Sequence, residues 1–391
     1  MKDQRGLELE TYCIVDLDAF RANLHEIQRW VQKREIILAV KANAYGHGVV
    51  PICREASMAG ISHFGVATVA EGVAIRQAGI EGEIIILTPA TLEQVETIVQ
   101  YDLHPNVVSD RFAHALAVEG ERQSKPVGCH IEIDTGMGRT GFWHTDAVGD
   151  IIQIAKLPGL NIEGIFSHFP VADSTSRSDF DFTRVQLTRF SRIIEELEKV
   201  GIKPPLVHIS NSAGILDHPV FGNGVRPGIL AYGLYPSAEA MDTVKVTPIL
   251  SLFTRVIQLG EYPPGTSISY GRTYTTRSTE MIAVIRAGYG DGLRRALSNR
   301  GFVLIRGKRY PIVGRVCMDM TMTDVTGSDV ELDDRVVILG SEDGGSITAE
   351  DHAIWAGTLN YEILTGISER VKRLYKKGGR IVEASELPKL A

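Results

Sequence analysis

Ile36-Ile37-Leu38-Ala39-Val40-Lys41-Ala42-Asn43-Ala44-Tyr45-Gly46-His47-Gly48 joins an apolar, strand-forming run to a single lysine and a loop of small residues and glycine. In α/β proteins, ligands sit at the C-terminal ends of parallel strands. A lysine leaving an apolar strand there turns its amine toward a pocket, where burial lowers its pKa from the usual value of about 10.4. A neutral amine can attack a carbonyl and hold an aldehyde cofactor covalently. The same lysine could equally reach past the strand end into water, so the rest of the chain has to decide.

Outward from this stretch, β-prone runs alternate with amphipathic segments from Tyr12 to about Tyr232. The runs cover residues 12–15, 36–40, 64–67, 84–87, 103–107, 128–133, 162–166, 206–209 and 226–230. Asp18 reads as the cap of a helix carrying Phe20, Leu24, Ile27 and Val31 at helical spacing. Further helices are predicted over 51–59, 92–100 and 184–200. Setting the first run aside leaves eight strand–helix units in about 200 residues, which fits a parallel (β/α)8 TIM-type barrel, with a doubly wound sheet as the alternative.

After Tyr235-Pro236 the texture changes. Strands read at 249–259, 281–286, 302–305, 310–313, 321–325 and 335–339, parted by turns such as Pro263-Pro264-Gly265 and Asp343-Gly344-Gly345. One helix is predicted near 349–359 and a last strand at Arg380-Ile381-Val382. The expected fold class is α/β, an N-terminal barrel over 1–240 followed by a mostly-β C-terminal domain over 241–391. Residues 12–16 are expected to lend a strand to the second domain.

Length and composition agree with this plan. A chain of 391 residues is too long for one compact core, and 44% hydrophobic with 23% charged residues is ordinary for a soluble protein. A net charge of -7 argues against a nucleic-acid or anionic-membrane surface, and every apolar run is strand-sized. The stretch from Met1 to Glu10 is charged and carries no apolar segment, so a cytoplasmic protein is expected. Cys13, Cys53, Cys129 and Cys317 lie far apart and read as reduced thiols. His47, His168 and His208 stand away from carboxylate clusters, so no metal site is expected.

If the barrel closes, the residues just after its strands form the active face. After the fifth strand comes Asp134-Thr135-Gly136-Met137-Gly138-Arg139-Thr140-Gly141, glycines that let a guanidinium reach inward to a carboxylate or phosphate. A structural pair between Arg139 and Asp134 explains the same loop. After the sixth, Ser167-His168-Phe169 places an imidazole that could simply be a hydrogen-bonded core residue. After the seventh, Ser210, Asn211 and Ser212 can cap a helix whose amides bind an anion, or merely cap it. Arg226-Pro227-Gly228-Ile229 opens the eighth unit, with the Gly228 and Ile229 amides beside the Ser212 helix. Paired phosphate-binding elements and an early strand-end lysine suggest pyridoxal phosphate.

These motifs resemble those of bacterial-type alanine racemases, fold-type III pyridoxal-phosphate enzymes. The likeness continues in order through Ser269-Tyr270-Gly271, Gly288-Tyr289-Gly290-Asp291-Gly292, Cys317-Met318-Asp319-Met320 and Asn360-Tyr361-Glu362, over almost the whole chain. The resemblance implies that Lys41 holds pyridoxal 5'-phosphate and serves the D-enantiomer, while Tyr270, supplied by a second subunit of a homodimer, serves the L-enantiomer. It implies His168 and Arg226 as supports of Tyr270, with Arg226 facing the pyridine nitrogen. Tyr45, Ser212, Gly228, Ile229 and Tyr361 would bind phosphate beside Asn211. Arg139 and the Met318 amide would hold the substrate carboxylate. Tyr289 and Tyr361 would narrow the mouth of the site, with Cys317 and Asp319 supporting and Arg295 and Asp173 further out.

One departure stands out. Glu132 occupies the position where such racemases carry a carbamylated lysine, and it is expected to pair with Arg139 directly. Pro170 and Val171 also replace the usual small or polar residues, which leaves side-chain tolerance open. The implied activity is racemisation of alanine for peptidoglycan, with a serine or broad-spectrum racemase as the nearest alternative. A cofactor-binding barrel without racemase chemistry is disfavoured because the β-domain is present, and a decarboxylase because Cys317-Met318-Asp319 follows the racemase pattern. No nucleic-acid or membrane partner is expected.

Overall fold

Runs such as Ile84-Ile85-Ile86 have no polar face to give to water, and strands of this kind are buried on both sides in parallel sheets. The computed structural model describes residues 10–237 and 244–385. The first nine residues and the expected boundary at 240/241 lie outside the described residues.

Eight parallel strands close into a ring: Glu35–Ala39, His63–Val66, Glu83–Pro89, His104–Val107, Val127–Asp134, Leu160–Phe166, Leu206–His208 and Gly224–Val225. Gly224 pairs back to Glu35, and Asn106 pairs with His130. A ring with no free edge rules out the doubly wound sheet. The barrel side chains Ile37, Ile85 and Leu206 pack together as one core cluster.

Three expectations need correcting. The helix Leu17–Val31 buries Phe20, Leu24, Ile27 and Val31, but Asp16 caps it, accepting the Asp18 and Ala19 amides at 3.1 Å each. The eighth strand is only Gly224–Val225, and residues 226–230 are not a strand. Pro227 has no amide for a ladder, and the chain turns through Gly228 into a 3₁₀ helix, Ile229–Tyr232. The helix expected over 184–200 is longer, Arg177–Lys199.

The chain divides into two compact units. One comprises Phe20–Ala44 and Val49–Thr247 and holds the barrel; the other comprises the described residues up to Ala19, Tyr45–Gly48, and those from Pro248 onward. In the second unit, Tyr12–Asp16 lies between Leu250–Tyr262, antiparallel, and Lys372–Lys377, parallel. Its core gathers Tyr12, Phe253, Leu304, Val337, Ile347 and Leu374. The helical region near 349–359 is two helices, Ala349–Ala356 and Asn360–Thr365, parted by a left-handed Gly357. Among the described residues, no helix is long and apolar enough to cross a membrane.

The last rungs before Lys41 are fixed from inside the barrel unit. Ala39 donates to the Pro227 carbonyl at 3.0 Å, Val40 donates to the Gly65 carbonyl at 2.8 Å, and the fully buried Tyr232 hydroxyl donates to the Ala39 carbonyl at 2.8 Å. Tyr232→Phe leaves that carbonyl without its donor, so it should cost about 1–3 kcal/mol in denaturant unfolding.

Candidate active site

The chain leaves Val40 in an unusual way. Ala42, Asn43, Ala44 and Tyr45 all have left-handed backbone, with φ between 51° and 54°. Each such non-glycine residue costs on the order of 1–2 kcal/mol, so surrounding bonds must impose the turn. Glu71 does much of this: its carboxylate accepts the Ala42 amide at 2.6 Å and the Ala67 and Thr68 amides at 2.8 and 3.1 Å. Asn43 Oδ1 accepts the Val49 amide at 2.8 Å. Glu71 is a site residue that the motif reading missed, although Thr68 and Glu71 form a capping box legible in the sequence.

The turn leaves Lys41 half-buried at the C-terminal end of the first barrel strand. Burial, then the Arg139 and Arg226 charges, hold its amine below the ordinary lysine range, opposed by Glu71. This is the environment a nucleophilic amine needs.

Arg226 is the most connected residue on this face. Its Nη1 donates to His208 Nδ1 at 2.5 Å and to the His208 carbonyl at 3.1 Å. Its Nη2 donates to the carbonyls of Ser167 and Ile209 at 2.6 and 3.2 Å, and faces His168 Nδ1 at 3.3 Å. The guanidinium carbon lies 5.1 Å from the Phe166 ring centre. Burial brings the Arg226 pKa down to about 10, which still leaves the group protonated at neutral pH. Burial and the Arg226 charge hold His168 and His208 well below the usual histidine range, so both are neutral.

Ser212 and Gly228 build an amide cradle close by. Asn211 caps the helix Ser212–Asp217, accepting the Gly214 amide at 3.0 Å and donating to the Phe169 carbonyl at 3.3 Å. Ser212 Oγ accepts the Gly228 amide at 3.0 Å and the Leu230 amide at 3.4 Å. Ile229, fully buried, begins the 3₁₀ turn between them. Ser210 Oγ is buried with no hydrogen-bond partner among the described residues.

The arginine loop is organised by Asp134, which accepts the backbone amides of Gly136, Gly138 and Arg139 at 2.8, 2.9 and 3.2 Å and thereby leaves the Arg139 side chain free to project. Glu132 faces Arg139 as an ion pair, with Arg139 Nη2 3.8 Å from its carboxylate. The same carboxylate takes its hydrogen bonds from Asn106 Nδ2 at 2.6 Å and Thr140 Oγ1 at 2.7 Å. Burial raises its pKa against those bonds and the arginine charges. Asp173 is exposed on the loop that follows His168.

The remaining predicted residues lie in the second unit. Tyr45 is buried and its ring centre lies 6.1 Å from that of Tyr361. Tyr270 is 71% exposed, and the left-handed residues Ser269, Gly271 and Arg272 around it fix its projection. Ser269 Oγ donates to the Arg315 carbonyl at 2.6 Å and lies 3.5 Å from Cys317 Sγ. Tyr289 donates its amide to the Cys317 carbonyl at 2.9 Å, which puts Tyr289 beside Met318; both side chains are exposed. Arg370 clamps this pair of loops, bonding Asp291 at 2.8 Å, Asp319 at 2.9 Å and the Met318 carbonyl at 3.3 Å. Nothing in the local sequence around Arg370 signals that role. Arg295 is exposed in a 3₁₀ turn, Arg295–Leu297.

A closed parallel barrel with a low-pKa amine, a buried guanidinium and an amide cradle on its C-terminal face defines a barrel enzyme of the amine-nucleophile kind. The family models "Alanine racemase, N-terminal domain" and "Alanine racemase, C-terminal domain" match residues 15–236 and 249–375. The chain belongs to the alanine racemase family. It is 41% identical to the alanine racemase of Halothermothrix orenii over 94% of this chain and 97% of that one. It is 40% identical to alanine racemase 2 of Caldanaerobacter subterraneus subsp. tengcongensis, over 96% and 97% of the two chains. Among solved structures, the alanine racemase of Clostridium difficile 630 superposes with a TM-score of 0.92 at 33% identity, covering 98% of this chain and 100% of that one. The Bartonella henselae alanine racemase, solved with covalently bound pyridoxal phosphate, gives 0.84 at 26% identity over 94% and 100%.

The low amine pKa has a direct readout. In protein stripped of any carbonyl compound, so that the amine is free, an amine-directed reagent should modify Lys41 with a pH midpoint below that of the surface lysines. Arg139→Gln removes a neighbouring positive charge and should move that midpoint upward, measured by peptide mapping across pH.

Proposed function

We propose that this chain interconverts L- and D-alanine with pyridoxal 5'-phosphate held on Lys41, in the cytoplasm, as a homodimer that shares its active sites, and so supplies D-alanine for peptidoglycan. The observation that carries the reading is the Lys41 amine itself, half-buried at a barrel strand end and kept below the ordinary lysine range by burial and two arginines. Other features suit the cofactor. The Ser212 hydroxyl and the Gly228 amide bond each other where a phosphate would take their place as partner to both, and the buried Ser210 Oγ lacks a partner that a bound anion would supply.

When bound, the cofactor would draw electrons from the substrate Cα and so acidify its hydrogen. Racemisation needs one base on each face of that carbon. Lys41 takes or returns the proton on one face. The partner subunit's Tyr270 serves the other: neutral His168, whose Nδ1 accepts from Arg226, has its proton on Nε2 to donate to the Tyr270 oxygen and so favours the phenolate. Arg226, still protonated and bonded to carbonyls and imidazoles, cannot hand a proton to the pyridine nitrogen, which limits charge delocalisation and disfavours transamination. Tyr45, Ser212, Gly228, Ile229 and Tyr361 hold the phosphate. Arg139 and the Met318 amide hold the substrate carboxylate, with Cys317 and Asp319 shaping the Met318 loop. Tyr289 and Tyr361 narrow the mouth, and Arg295 and Asp173 lie further out.

Glu132 acts on Arg139 through charge across 3.8 Å rather than through a hydrogen bond, and it needs no CO₂-derived modification. The barrel over 1–240 is accordingly the cofactor-binding domain, and 241–391 the domain that completes the site of the other subunit.

The purified protein should racemise L-alanine faster than L-serine or L-lysine, followed by loss of optical purity. Bound cofactor with no alanine turnover would sink the proposal. Lys41→Ala should abolish both turnover and the cofactor's visible absorbance. Glu132→Gln should raise the KM for alanine several-fold; unchanged kinetics would contradict its role beside Arg139.

A further inference from the structure

The opposite end of the barrel from Lys41 carries a second polar cluster, in a place where stability is the usual demand. Three barrel strands begin on it, at His63, Glu83 and His104, and His130 joins from inside the strand Val127–Asp134. Glu83 Oε1 lies 2.9 Å from His104 Nδ1 and 2.7 Å from His130 Nε2, while Oε2 lies 3.5 Å from His63 Nε2. One ligand atom each from Glu83, His104 and His130 fall within 4.8 Å of one another.

Two details indicate a built site rather than a chance meeting. His104 Nδ1 is buried and close to the carboxylate, yet outside hydrogen-bonding geometry with it. A shared ion accounts for a nitrogen that approaches an oxygen without bonding to it. Neighbouring strands also make room for the two rings. A Cβ on Gly128 would come within 2.6 Å of the His104 ring, and one on Gly164 would collide with the His130 ring. Neither glycine has left-handed backbone, so space rather than conformation calls for them there.

Two imidazoles and one carboxylate, with a fourth position for water, are the donor set of zinc and its neighbours rather than of calcium or magnesium. Partial exposure of His63, Glu83 and His104, at 20%, 21% and 18% of their side chains, gives a path from solvent, while His130 is closed off. We propose that Glu83, His104 and His130 form a site for a divalent cation of the zinc class at the floor of the barrel. His63 holds the second carboxylate oxygen and orients it.

This site is wired to the active face. An arginine only donates, so His208 Nδ1 accepts from Arg226 and the His208 proton sits on Nε2. That proton is donated to His130 Nδ1 at 3.1 Å, and the His130 proton, on Nε2, is donated to Glu83. A metal on His130 Nε2 needs that lone pair. The His130 proton then moves to Nδ1, and the His208 proton moves from Nε2 to Nδ1, with no net release. Two N–H groups now confront each other between Arg226 and His208, where 2.5 Å separates the nitrogens. Arg226 must shift, so a metal at the floor opposes its placement at the cofactor ring. This consequence rests on the proposed racemase activity; the metal site itself does not.

The test uses the holoenzyme, treated with a chelator and dialysed against Zn²⁺, with Co²⁺ as a coloured probe. One metal per chain is expected, with Co²⁺ giving the strong visible bands of a four-coordinate ion. His104→Ala and Glu83→Gln should each weaken uptake about tenfold or more, with circular dichroism confirming that the variants fold. No uptake, or equal uptake in the wild type and a folded variant, overturns the site. Zn²⁺ should slow alanine turnover by the wild type and lose that effect in His104→Ala. Stoichiometric uptake with unaltered turnover overturns the coupling. Uptake by a protein that turns over no alanine leaves the metal site standing and overturns the proposed function instead.

Discussion

A guanidinium buried at the end of a barrel is the constraint on which the active face depends. Removing a charge from water costs several kcal/mol unless bonds replace its hydration. Arg226 meets that demand without touching a carboxylate, by bonding three backbone carbonyls and two imidazoles and lying over Phe166. Two consequences follow from the same charge. His168 and His208 stay neutral, and the Lys41 amine is pushed toward its reactive form. A carboxylate in place of the imidazoles would stabilise the arginine better but would cancel the field that Lys41 feels.

Much of this was legible in the sequence, for physical reasons. Unbroken apolar runs ending in Lys41, Ser167-His168 and His208 announce parallel strands whose ends face one side, and closure of the ring then brings distant motifs together. The end of the barrel was harder to read. Residues 226–230 look apolar enough for a strand, but Pro227 cannot join a ladder, so the strand stops at Val225 and Gly228 turns into the cradle. Charged residues hid another strand. The strand Lys372–Lys377 was not predicted at all, yet it is paired on both sides with Lys372 and Arg373 buried, and Arg373 bonds backbone carbonyls at 367, 368 and 371.

Glu132 shows where a motif alone falls short. Its pairing with Arg139 was legible, but its hydrogen-bond partners were not, because Asn106 comes from a neighbouring strand and Thr140 from the loop. The floor cluster is the same problem without any motif. Glu83, His104 and His130 carry no ligand spacing in sequence, since each sits on its own strand and only the register of the ring aligns them. The two ends of the barrel are then joined through its interior by imidazoles, an arrangement that a linear chain conceals.

The central claim is that the cofactor is attached at Lys41, and reductive trapping tests it most directly. The protein is incubated with pyridoxal phosphate, treated with borohydride, digested, and mapped by mass spectrometry. A pyridoxyl phosphate adduct confined to the peptide bearing Lys41 is the predicted result. An adduct on another lysine, or none despite bound cofactor, would contradict the account.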